Sequence, residues 1–185
     1  MILSLKDYYH EITDLMVDAK VFDQLETVKK KIIRMNDSGG KLLLAGNGGS
    51  AGIVAHAAVD FTKQAGVTAL TFNEPAMITA FSNDFGYEQW VEKAFEYYAK
   101  PEDILICVSV SGESENLVNA ARKASANGHY VVSFTGKNRN NSLGKIANTN
   151  LFVASKSYNI VEGIHMIWLT SIVDMIIGRS VYEVS

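Results

Sequence analysis

What this chain has little of already narrows it. It carries one cysteine, Cys107, in 185 residues. Set in an apolar run, that residue reads as a buried thiol of a reducing compartment, neither half of a disulfide nor a catalytic nucleophile. Excess basic charge is missing too: 17 Lys and Arg stand against 20 Asp and Glu, for a net charge of −3. That balance leaves no electrostatic footprint for nucleic acid. Asp174 interrupts the most hydrophobic segment, near the C-terminus, so no run of membrane-spanning length is read and no membrane partner is expected. Repeats, low-complexity tracts and linkers are lacking, and Met1-Ile-Leu-Ser-Leu is followed at once by Lys6-Asp7, unlike a leader. With 48% hydrophobic and 20% charged residues, the expectation is a cytoplasmic chain folded as one domain over 1–185.

The apolar pattern divides the chain in two. Over 1–40, Leu5, Tyr8, Ile12, Leu15 and Met16, then Leu25, Val28, Ile32 and Met35, recur at helical spacing, and Ser38-Gly39-Gly40 ends the segment. Lys29-Lys30-Lys31 reads as a solvated helix face. From 41 to 180 strands and helices alternate. Strands are expected at 42–45, 67–72, 103–108, 130–134 and 151–153. Helices are expected at 50–64, 75–82, 88–99, 114–127, 142–147 and 160–178. Strands separated by helices imply a parallel sheet with right-handed crossovers, hence an α/β three-layer, doubly wound, five-stranded fold of flavodoxin-like kind with N-terminal helices. Ligands of such sheets bind at the carboxyl ends of strands, beside a switch in strand order.

Two stretches are built for that position. In Lys41-Leu-Leu-Leu-Ala-Gly-Asn-Gly-Gly-Ser50 a strand runs into glycines and then a helix start, where free N–H groups and the helix dipole favour an anion. Asn47, Gly48, Gly49 and Ser50 are the candidate binding residues. The spacing is neither the dinucleotide fingerprint nor a Walker A loop. The stretch from Asp103 to Asn116 repeats the construction, its strand ending in Ser109, Val110, Ser111, Gly112 and Ser114. An N-cap needs one short hydroxyl. Three around a glycine suit a phosphate.

Two helices add titratable groups. His56 and Asp60 are four apart and share a face; Glu162 and His165 are three apart and do the same. Imidazole and carboxylate suit a divalent metal. The alternative is a plain helix hydrogen bond for the first pair and a core position for His165.

S-x-S-G-x-S-x-N at 109–116, preceded by GNGGS at 46–50, resembles the SIS (sugar isomerase) family of sugar-phosphate-binding domains. Asn83-Asp84-Phe85-Gly86-Tyr87 is similar to the phosphoheptose isomerase branch, and the likeness runs from about 40 to 180. The resemblance implies a phosphosugar held by both loops with Asn83 and Asp84 nearby, a homotetramer built through the N-terminal helices, and aldose–ketose isomerisation of sedoheptulose 7-phosphate through an enediolate. It also implies zinc and a pair of proton-transfer groups on two helices. Carried over position by position, the zinc ligands become His56, Asp60 (Glu in the family), Glu162 (Gln) and Thr170 (His), so that His56, Asp60 and Glu162 remain as metal candidates. Asp60 and Glu162 remain as catalytic candidates. Threonine is no general base near neutral pH. A phosphosugar-binding protein without turnover, including a type that binds the DnaA replication initiator, and an isomerase of another sugar phosphate are the alternatives.

Overall fold

The structure is a computed structural model that describes residues 4–17 and 19–181. Met1-Ile-Leu, on which the reading of no leader rests, and both ends of the expected 1–185 domain lie outside the described residues. Two helices, α1 (Leu5–Met16) and α2 (Ala19–Asp37), come first. The core then runs β1 (Leu42–Gly46), α3 (Gly49–Lys63), β2 (Ala69–Thr71), α4 (Pro75–Phe85), α5 (Trp90–Tyr98) and β3 (Ile104–Ser109). It continues through α6 (Glu115–Ala126), β4 (Tyr130–Thr135), α7 (Ser142–Ile146), β5 (Thr149–Phe152) and α8 (Tyr158–Ile177). The sheet is five-stranded in the order β2-β1-β3-β4-β5, and every pairing is parallel.

β1 and β3 are apolar on both faces because helices cover both. Leu42 and Leu44, with Ile104, Ile106 and Val108, pack into one core with α2, α3 and α8. Leu43, Ala45, Leu105 and Cys107 point the other way, into a second core with Phe72, Trp90, Phe95 and Leu117. Burial pushes the Cys107 thiol up to about 12, so it stays protonated and unreactive. At the strand starts, the buried Asp103 carboxylate accepts from the Lys41 N–H at 2.9 Å and the Lys100 N–H at 2.8 Å, and pairs with the Lys41 ammonium. This fixes β1 against β3 at the end away from the loops.

Several element ends differ from expectation. The second strand covers three residues, not 67–72, because only Ala69–Thr71 pair with β1, while the Val67 N–H bonds back to the Phe61 carbonyl of α3 at 2.9 Å. α4 runs on to Phe85, where Gly86 (φ 87°) stops it. The helix expected over 160–178 begins at Tyr158 and ends at Ile177, closed by Gly178 in the left-handed conformation. By length and composition α8 is apolar enough to cross a membrane, so the sequence criterion based on Asp174 was too strict. Here one apolar face is taken up by the domain, with Ile160, Val161, Ile164, Trp168, Leu169 and Ile172 buried in the first core, while Ile167 stays exposed.

Candidate active site

The chain leaves β1 toward the sheet edge at β2, then crosses back to β3 on the other side of β1. The two loops at this reversal part from each other and leave a crevice between them. Register brings them to one level, since Gly46 stands opposite Val108. A cavity of 330 Å³ opens there, lined by Asn47 to Ser50 from the first loop, Val108 to Ser111 and Ser114 from the second, and Tyr158 and Glu162 of α8.

Local hydrogen bonds hold this mouth open to an anion. Gly48 (φ 55°) and Ser114 are the N-caps of α3 and α6, and neither makes a side-chain cap bond; nor does Ser157 at the start of α8. Away from the cavity, Ser4, Glu74 and Asn141 spend a side chain on the first turn of α1, α4 and α7, while Gln89 leaves α5 without one. At the cavity no side chain competes for the first turn of these three helices: the Ala51 and Leu117 N–H groups bond back to the cap carbonyls of Gly48 and Ser114, and those preceding them in α3 and α6 are left for a ligand. The hydroxyls of Ser109 and Ser114 lie 3.2 Å apart, and Ser109 and Ser111 3.5 Å apart. Ser109 also accepts from the Gly112 N–H at 3.2 Å, and Ser111 from the Glu113 N–H at 3.1 Å. Gly112 has φ 67°, and a Cβ there would stand 2.2 Å from the buried Asn141 amide oxygen. Only glycine lets this loop close on the polar support behind it.

The two loops are tied directly. Asn47 Nδ2 donates to Asn116 Oδ1 and Asn116 Nδ2 donates to Asn47 Oδ1, each at 2.9 Å. The Tyr87 hydroxyl donates to the same Asn47 oxygen at 3.3 Å. Glu162 is the carboxylate of the cavity. Ser50 Oγ donates to its Oε1 at 3.4 Å.

Of the residues read from the sequence, Asn47, Gly48, Gly49, Ser50, Ser109, Val110, Ser111, Ser114 and Glu162 meet at this cavity. His56 and Asp60 pair with each other at 3.1 Å but on the outward face of α3, where the His56 side chain is 55% exposed. Asn83 and Asp84 sit exposed in the last turn of α4 and bond to each other at 2.9 Å. None of these four lines the cavity. Three further residues join the site without having been expected from the sequence. Asn116 and Tyr87 lay inside the quoted motifs, while Tyr158 had no motif to mark it. His165 is fully buried: one ring nitrogen, Nε2, bonds to the Thr135 carbonyl at 3.1 Å, and burial holds its pKa down at about 4. It is a core histidine. Thr170 donates to the Met166 carbonyl at 2.9 Å, within its own helix.

Zinc on His56, Asp60 and Glu162 does not fit one chain. Among the described residues no three His, Cys, Asp or Glu side chains gather closely enough to hold a metal ion. Two of the expected donors bond to each other on the surface, and the third lies in the cavity.

The SIS domain model matches residues 7–136, which takes in both loops. The chain belongs to the SIS domain family, in its phosphoheptose isomerase branch. The phosphoheptose isomerase of Burkholderia pseudomallei is 30% identical over 185 residues, covering 97% of this chain and 93% of that one. That of Fusobacterium nucleatum is 28% identical over 179 residues, covering 94% and 92%. Phosphoheptose isomerase GmhA from Neisseria gonorrhoeae superposes with a TM-score of 0.85 at 21% identity, covering 93% of this chain and 97% of its own, and so shares the fold.

Proposed function

We infer that the protein is a sugar-phosphate aldose–ketose isomerase of the sedoheptulose 7-phosphate type. The observation that carries this reading is the cavity itself: two serine and glycine loops with uncapped helix starts, and a single lining carboxylate, Glu162, set against the first of them. The loops are suited to the phosphate. The hydroxyls of Ser109, Ser111 and Ser114 donate to its oxygens, and the N–H groups opening α3 and α6 add to them. With the phosphate fixed, the sugar's carbonyl end extends along the cavity toward α8. There Glu162 removes the proton from the hydroxyl-bearing carbon beside the carbonyl and delivers it to the former carbonyl carbon, passing through an enediolate, while the hydroxyl proton passes to the former carbonyl oxygen by way of solvent. Ser50, bonded to Glu162, helps hold that carboxylate in place. Asp60 with His56 supports the same chemistry only if their face of α3 is brought to a site.

The exposed apolar side chains of Leu5 and Tyr9 on α1, Val59 on α3 and Ile167 on α8 favour a homo-oligomer, which we take to be a tetramer. A cytoplasmic location goes with the reading.

One observation favours a second reading, binding without turnover. Thr170 stands where the family has an imidazole, and its hydroxyl is committed to its own helix. Incubation with sedoheptulose 7-phosphate followed by NMR separates the two. Appearance of the aldose supports the isomerase; saturable binding with no aldose supports the binding protein.

A further inference from the structure

The cavity contains a carboxylate, and among the described residues no lysine or arginine lines it. A phosphate monoester carries close to two negative charges at neutral pH, and helix starts and hydroxyls offer only partial positive charge against them. A full cation within reach would let the site tell a phosphorylated sugar from a neutral one.

One lysine is held at the rim. The Lys137 ammonium lies 4.0 Å from the centroid of the Tyr158 ring, and Tyr158 lines the cavity. On its other side Lys137 follows Gly136, whose N–H donates to the carbonyl of Val110, between Ser109 and Ser111, at 3.0 Å. The Lys137 N–H donates to the Ser155 carbonyl at 2.9 Å. Lys137 thus joins the serine loop to the approach to α8. Its backbone is unusual as well: φ is 58°, and among the described residues it is the one non-glycine with positive φ. Such a conformation disfavours a long side chain, and glycine would occupy it without strain. A strained lysine beside a cavity points to a use for the side chain.

We propose that Lys137 is the cation of the phosphosugar site, its ammonium resting on the Tyr158 face and turning to the phosphate when a phosphorylated sugar enters. The inference rests on the sugar-phosphate reading above and adds the residue that recognises charge. An exposed cation–aromatic contact is weak enough to be exchanged for a contact with a dianion.

The test is calorimetric titration of sedoheptulose 7-phosphate into the parent, Lys137→Gly, Lys137→Arg and, as a control lysine close to Tyr158 in sequence, Lys156→Ala. Lys137→Gly removes the ammonium and relaxes the backbone, so its melting temperature should equal or exceed the parent's. Its affinity should nevertheless fall about tenfold or more, with a shallower dependence on salt. Lys137→Arg should restore most of the affinity, and Lys156→Ala should bind like the parent. Should Lys137→Gly bind as tightly as the parent with the same salt dependence, the cation assignment is overturned while the sugar-phosphate reading stands. Should the parent itself fail to bind the sugar phosphate, both are overturned.

Discussion

The Glu162 carboxylate lies against Gly49, so closely that a Cβ on the glycine would stand 2.6 Å from Oε2 and 2.7 Å from Oε1. The first loop of the cavity and the carboxylate on α8 are thus fitted to each other through the missing side chain of one residue. Gly49→Ala should leave the fold nearly intact, because what it meets is the far end of a flexible side chain. It should displace the carboxylate, and isomerisation should slow by about tenfold to a hundredfold. Steady-state kinetics beside a thermal melt checks this: equal loss of rate and of stability would mean that Gly49 serves the fold alone.

The serine loop makes a separate prediction about binding. Changing Ser111 and Ser114 together to alanine removes hydroxyl donors to the phosphate, and affinity for a phosphosugar should weaken by roughly 2–4 kcal/mol. Calorimetry that finds the double variant binding like the parent would remove the loop from the site.

His165 sets a pH dependence of stability. Burial lowers its pKa from the ordinary 6.5 to about 4, a fall that its bond to the Thr135 carbonyl only partly opposes. The unfolded chain therefore takes up this proton before the folded one does. Stability from this group is complete above about pH 6.5 and is lost as pH falls toward 4, by up to roughly 3 kcal/mol in total. Urea midpoints at neutral and mildly acidic pH should show the drop, and His165→Gln should flatten it. A parent midpoint that is constant across that range would contradict the assignment of a buried neutral imidazole.

These three sites differ in how much of them could be read beforehand. The sheet was legible because Leu42 to Leu44 and Ile104 to Val108 are short runs, apolar at every position and followed by glycine and serine turns, as strands covered on both faces require. Both binding loops followed from glycine and serine clusters at strand ends. Spacing told less about the helices. It placed His56 and Asp60 on one face correctly, as their 3.1 Å contact shows, but four-residue spacing does not say whether that face turns to the cavity or to solvent. Glu162 was distinguishable from them only by where α8 packs. Tyr158, Lys137 and the Lys41–Asp103 pair carry no local pattern, since each acts through a partner distant in the chain.

Exposed apolar side chains on α1, α3 and α8 predict self-association. Light scattering at micromolar concentration should give about four times the 20.3 kDa chain mass, and introducing charge with Val59→Glu should lower it. A monodisperse monomer would contradict the oligomer.

The central claim is that the Glu162 carboxylate moves a proton on a bound sugar phosphate. The most direct measurement is solvent deuterium entering C1 or C2 of sedoheptulose 7-phosphate, which reports proton abstraction even when net conversion is hidden by equilibrium. The parent should exchange. Glu162→Gln, which keeps shape and removes the base, should bind the sugar yet exchange at least about a hundredfold more slowly, while Asp60→Asn tests whether the pair on the outer face of α3 takes part as well. Exchange that survives Glu162→Gln unchanged, or no exchange by a parent that binds the sugar tightly, would contradict the account.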